Sequence, residues 1–126
     1  MHFLSDEHLA AATSALNQSA AIKHAAGGVT LGILNFVTGG AGGDFTYYIR
    51  IADGVVEMAR GSLDRPDAEV RSSYDTAAGI ARGEIANQAA VMMGKVRIKG
   101  SLLTLMKHAS LLNQIQALSS TLPVDY

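Results

Sequence analysis

Asp44-Phe-Thr-Tyr-Tyr-Ile-Arg-Ile-Ala52, Asp53-Gly54 and Val55-Val-Glu-Met-Ala-Arg-Gly-Ser-Leu63 follow one another in the chain, and their reading decides the fold. In the first piece Phe45, Tyr47, Ile49 and Ile51 alternate with Thr46, Tyr48 and Arg50. That is the period of a strand with one buried face. Asp-Gly is a strong two-residue hairpin signal, so Val55 to Leu63 is expected to return as a second strand. Asp64-Arg-Pro-Asp67 turns the chain again. Ala68 to Tyr74 alternates once more, with Val70 and Tyr74 on one face and Glu69, Arg71 and Ser73 on the other. Upstream, Val29 to Thr38 is β-branched and apolar and reads as a strand despite Gly32, with Gly39-Gly-Ala-Gly-Gly43 as a flexible turn. Downstream, Lys95-Val-Arg-Ile-Lys99 reads as a short strand with Val96 and Ile98 inward. Its outward charges suit an exposed face or a protected edge.

Helices surround these strands. Ser5 suits an N-cap, with Asp6 and Glu7 against the positive helix end. The Ala-rich run then extends to about Ala26, carrying Leu9, Ala12, Leu16, Ala20 and His24 on one stripe, and Gly27-Gly28 stops it. Asp75 or Thr76 can cap a short helix to Arg82, and Ile85 to Met93 reads as another, ended by Gly94. Ser101 caps a final helix whose apolar stripe is Leu102, Leu105, Met106, Ala109, Leu112 and Ile115. Strands joined by tight turns are antiparallel. The expected fold is therefore α+β: a five-stranded, mainly antiparallel sheet with a helical layer on one face, formed by one domain over 1–126.

Composition narrows the function. The 126 residues suit one domain and are 48% apolar, with no tryptophan and five Met. Met adapts to irregular shapes; ordinary gap-filling and a variable apolar pocket are both open. The net charge is -1 and no long basic run exists, so no nucleic acid partner is expected. The absence of cysteine removes thiol chemistry and fits a reducing cytoplasm. Met1 to Glu7 does not read as a secretory signal, nor Pro123 to Tyr126 as a peroxisomal address. Ala25 to Gly43 carries no charge, but its glycines, Thr30, Asn35 and Thr38 argue for a buried strand and turn rather than a spanning helix.

Catalytic arrangements are not evident. A dinucleotide loop needs a helix after its glycines, to hold phosphate at the helix N-terminus; Phe45-Thr-Tyr-Tyr48 reads as strand instead. His2, His8, His24 and His108 lack paired ligand spacing, so neither a metal nor another cofactor is expected. Asp64, Asp67 and Glu69 read as solvated turn residues, and Asp75 as a cap. Lys95, Arg97 and Lys99 read as a solvated strand face, with transient contact to anionic lipid headgroups as the second reading.

The second half resembles a known family. Gly61-Ser-Leu-Asp-Arg-Pro-Asp-Ala-Glu-Val70, Tyr74-Asp75, Ala78-Gly-Ile-Ala-Arg-Gly83 and Asn87 to Gly100 are similar, in order and spacing, to the sterol carrier protein 2 family. Met93-Gly-Lys-Val-Arg-Ile-Lys-Gly100 carries most of the likeness, which covers Asp44 to Leu112. Two positions depart from the pattern. Ser101 stands where members often carry Asp or Asn, and Arg82-Gly-Glu84 replaces a commoner Gly-Lys. The resemblance implies a five-stranded sheet covered by helices with an apolar tunnel between the layers. It implies non-catalytic binding of a sterol, fatty acyl chain, phospholipid or isoprenoid, and no catalytic residues. Related bacterial domains bind isoprenoids or sit beside enzymes of lipophilic substrates.

Burying methylenes is worth about 0.8 kcal/mol each, so a long acyl chain gains roughly 10 kcal/mol gross, much of it lost to association and ordering costs. The candidate lining is Ile80, Ile85, Val91, Met92, Leu102, Leu105, Met106 and Leu112, with Phe36, Tyr47 and Tyr74 from the sheet. For each, plain core packing is the competing reading. Three roles remain: a lipid carrier, an accessory subunit presenting a lipophilic intermediate to a partner enzyme, and an enzyme acting by confinement alone.

Overall fold

The structure is a computed structural model describing residues 1–40 and 42–126. The glycine turn expected at 39–43 includes Ala41, which lies outside the described residues. The elements are α1 (Asp6–Gln18), α2 (Ala20–Ala26), β1 (Leu31–Gly40), β2 (Gly43–Ala52), β3 (Val55–Arg60), β4 (Ala68–Ser73), α3 (Tyr74–Ala81), α4 (Asn87–Met92), β5 (Val96–Gly100), α5 (Leu102–Lys107) and α6 (Ala109–Ser119).

The five strands form one sheet in the order β3-β2-β1-β4-β5. β1, β2 and β3 pair as antiparallel hairpins, the second closed by Asp53-Gly54 as the dipeptide predicts. The turn at 64–67 does something else. Instead of returning β4 against β3, it carries the chain to the far side of β1, where β4 pairs parallel. β3 ends at Arg60, earlier than the apolar reading to Leu63, because residues 61–67 form the crossing. The crossing is pinned at Gly32, whose N–H donates to Asp67 Oδ2 and whose carbonyl accepts from the Asp67 N–H, both at 2.8 Å. A Cβ on Gly32 would stand 3.2 Å from Leu63 Cδ1, so the small residue in β1 makes room for the strap. Gly100 closes β5 at φ +106°, where a Cβ would lie 2.7 Å from the Asp67 carbonyl oxygen. Only glycine accepts both that backbone and that approach.

Cross-strand partners share a face. Register therefore places Leu31, Ile33, Asn35 and Val37 of β1 on the inner face, with Phe45 to Ile51 of β2 in odd steps, Val56 and Met58 of β3, Val70 and Ser72 of β4, and Val96 and Ile98 of β5. The helical core residues meet this face. One cluster joins Leu16, Ile22 and Ala26 to Leu31, Ile33, Ile51, Val56, Leu111 and Ile115. A second joins Phe3, Leu4, Leu9, Val37 and Ala78.

Four helix boundaries differ from the sequence reading, the plainest being α4, which runs Asn87–Met92 and not Ile85 to Met93. The first helix breaks at Ser19, whose side chain accepts from the Ile22 N–H and restarts the chain as α2. Ile22 and Ala26 are buried as a result, and Ala20 and His24 are exposed. Ser73, not Asp75 or Thr76, caps α3, accepting from the Thr76 N–H at 3.1 Å. Ser101 caps α5 as expected, but that helix stops at His108, which begins α6.

α1 also guards an open edge. β3 is an edge strand, and its unpaired backbone faces α1. Asn17 accepts from the Val56 N–H at 2.9 Å and donates to the Val56 carbonyl at 2.8 Å. Thr13 does the same for Met58, at 2.9 and 3.0 Å. The match is geometric. Four residues of helix advance about 6 Å, and two residues of strand about 6.8 Å. Residues i and i+4 of α1 thus meet residues j and j+2 of β3, and occupy the groups another chain would use.

Candidate ligand cavity

Between the two core clusters lies a hollow of about 290 Å³. Its floor is the inner face of the sheet: Ile33, Ile49 and Met58 in one row, Asn35, Tyr47, Val70 and Ile98 in the next, then Ser72 and Val96. Its roof comes from Ala77, Ile80 and Ala81 of α3, Asn87 and Val91 of α4, Leu105 of α5, and Ala109, Leu112, Ile115 and Gln116 of α6. Phe3, Leu4, His8, Ser119, Ser120 and Tyr126 close the remaining sides. The room comes from side-chain size. The roof contributes three alanines, Ala77, Ala81 and Ala109, to the lining, and small side chains leave space that larger ones would fill.

Among the described residues, none of the lining side chains is a carboxylate, an ammonium or a guanidinium. The His8 imidazole and the Tyr47 phenol are held neutral. Burial, then the nearby N-terminal ammonium, pushes His8 below its usual range. Its Nδ1 accepts from the Leu4 N–H at 2.8 Å, which requires the unprotonated nitrogen. Burial pushes the Tyr47 phenol up to about 12. Asn35, also buried, has an Nδ2 with no hydrogen-bond partner among the described residues. Such an arrangement accommodates apolar matter and neutral polar groups. It disfavours a bare charge, whose desolvation nothing there offsets.

His8 makes stability depend on pH. Because its folded pKa is lowered, the unfolded chain binds the extra proton more readily. Its contribution is complete above about pH 6.5 and is lost as pH falls below that value. We expect the melting temperature to drop between pH 7.5 and 5.5, and His8→Asn, which keeps an acceptor for the Leu4 N–H, to flatten that drop. An equal drop in both proteins, measured by circular dichroism, would assign the effect elsewhere.

The sequence-predicted lining divides. Tyr47, Ile80, Val91, Leu105 and Leu112 do line the hollow. Six others do not. Phe36 pairs with Thr46 on the outer face, where the Arg71 guanidinium stacks 4.0 Å above its ring. An apolar run without alternation gave no way to tell its face. Tyr74 starts α3 rather than ending β4, and packs edge-on against Phe3 at 5.5 Å. Ile85 fills the notch above Gly79, where a Cβ would stand 2.8 Å from its Cδ1. Met92, Leu102 and Met106 are exposed. The last two lie on α5, a surface helix with no buried residue that turns only Leu105 toward the hollow. Ile33, Asn35, Ile49, Met58, Val70 and Ser72 were missed as lining. Their signal was available in part, since Ile49 continues the Tyr47 face and Val70 follows the β4 alternation. Phe3, Leu4 and His8 had no signal, because only tertiary packing brings the N-terminal segment to the sheet.

A five-stranded mixed sheet roofed on one face by helices is the fold of the sterol-carrier class. The chain belongs to the SCP-2 sterol transfer family, whose family model matches residues 7–113. Solved structures agree on the fold. The conserved hypothetical protein TT1886 from Thermus thermophilus superposes with a TM-score of 0.79 at 16% identity, over 99% of this chain and 92% of that one. A crystal structure of sterol carrier protein 2 gives 0.79 at 17%, over 94% and 98%. A UbiJ-SCP2 ubiquinone synthesis protein gives 0.59 at 15%, over 85% and 90%. Comparison with curated protein sequences gives no match.

Proposed function

We propose that the chain acts as one lipid-binding unit, which holds the apolar part of a lipid in this hollow and transfers or presents it without chemical change. The observation that carries the reading is the uncharged lining of a 290 Å³ hollow. An apolar hollow leaves its lining side chains short of packing partners, and an apolar guest supplies them. Ten buried methylenes would contribute about 8 kcal/mol gross, less the cost of association. Selectivity would rest on length and shape, with Asn35 and Tyr47 offering hydrogen bonds to a neutral polar group. A cytoplasmic carrier of a sterol, acyl, phospholipid or isoprenoid guest fits this site.

Native mass spectrometry of freshly purified protein tests the reading. One lipid mass should ride on the chain, and delipidated protein should take up one equivalent of a fluorescent fatty acid. The absence of both a co-purifying lipid and any uptake would refute it.

The likeness to a ubiquinone synthesis protein supports a second reading, in which the chain presents a lipophilic intermediate to a partner enzyme. Recovery of one stoichiometric enzyme with the tagged chain from its host favours presentation; a free, lipid-loaded monomer favours a carrier.

A further inference from the structure

We propose that α4, β5 and α5 form a face that docks onto an anionic lipid bilayer. Among the described residues, eight large apolar side chains are exposed, and six of them lie between 91 and 106. They cluster on α4, at its end, and on α5, the two helices that flank the edge strand β5 in the chain. Met92 is 88% exposed, Leu103 79% and Met106 65%. Apolar side chains scattered singly are ordinary on a surface; a concentration of them marks an interaction site.

Charge says what covers it. Lys95, Arg97, Lys99 and Lys107 are the only charged residues between 85 and 124, and all four are basic. The chain as a whole is slightly acidic, so its eleven carboxylates have been kept out of this region. The nearest are accounted for. Glu69 stands across from Lys99 in the sheet, Glu84 pairs with Arg82 at 3.2 Å, and Asp67 accepts from Gly32. Arg97 and Lys99 project from the outer face of β5, Lys99 opposite Glu69, while Lys95 follows α4 and Lys107 ends α5; long apolar side chains with such cations next to them in the chain are what an interfacial segment presents to anionic headgroups. A second copy of the chain would bring like charges together.

The face adjoins the hollow. Val91 on α4 and Leu105 on α5 line it, while their neighbours Met92 and Met106 point to solvent. The same two helices thus touch both bilayer and guest. As a route for the guest, this rests on the carrier reading above; as a binding surface it does not.

Co-sedimentation with vesicles of phosphatidylcholine, with and without phosphatidylglycerol, tests the proposal. Binding should favour the anionic vesicles by about tenfold and weaken as salt is raised. Met92→Ser combined with Leu103→Ser should weaken it by about tenfold, since both side chains are solvent-exposed and their loss leaves the core intact. Lys95→Gln with Lys107→Gln should remove the anionic preference. Equal binding to both vesicles, unchanged binding of the serine variant, or a dimer by light scattering that the serine variant loses would each overturn the proposal. Uptake of a fluorescent fatty acid without vesicles should be the same in wild type and serine variant. A wild type that binds vesicles but takes up no probe would refute the carrier reading and leave the docking face standing.

Discussion

Val70→Trp is expected to abolish lipid uptake while the protein stays folded. Val70 stands in the middle of the floor, between Asn35 and Ile98, and its side chain lines the hollow. Tryptophan is well accepted in strands, so the backbone of β4 has no reason to change. The indole has one direction to go, into the space a guest would occupy. If it fills that space, it restores packing contacts that the empty hollow lacks. We expect uptake of a fluorescent fatty acid to fall at least about a hundredfold, the loss of roughly 3 kcal/mol of burial, with the melting temperature held or raised. Leu105→Trp, from the roof, should act the same way. Full uptake by both variants would mean that the guest binds elsewhere, and unfolding of both would mean that this space is solid core.

The second large effect concerns the guarded edge. Asn17→Ala should cost about 2–3 kcal/mol, because it strips partners from both the N–H and the carbonyl of Val56. Thr13→Val keeps the shape but does the same to Met58. Together they should lower the melting temperature by roughly 10–20 °C and expose two consecutive pairing sites on β3. An uncovered edge is a template for another strand, so the double variant should also aggregate on partial unfolding. Chemical denaturation measures the first effect and light scattering the second. Stability unchanged within about 0.5 kcal/mol would show that water serves this edge as well as α1 does.

Where the sequence alternates, the structure agrees with it except at Tyr74, which starts α3 instead of ending β4. Phe45, Tyr47, Ile49 and Ile51 occupy one face as their period requires, and Val96 and Ile98 turn inward from an edge strand. Where it does not alternate, the face was illegible, and Phe36 fell on the wrong side. Caps were partly legible. Ser5 and Ser101 act as their positions suggest, whereas Ser19 looked like one more polar residue in a continuous helix and instead divides it. The final helix shows the same limit. The continuous apolar stripe carries no sign of the break at His108, and Leu102 and Met106 lie on α5 outside the hollow.

Local periodicity, turn dipeptides and family likeness were enough to determine from the sequence alone that five strands and a helical layer would form. They depend on neighbours within a few residues. Tertiary structure decided the rest: that β4 crosses to run parallel beside β1, that the N-terminal segment closes one side of the hollow, and which apolar residues bound space rather than fill it. Whether a side chain meets a neighbour or a void depends on the size of a residue far away in the chain, such as the alanines of α3 and α6 that line the hollow together with Val70. No local pattern carries that information.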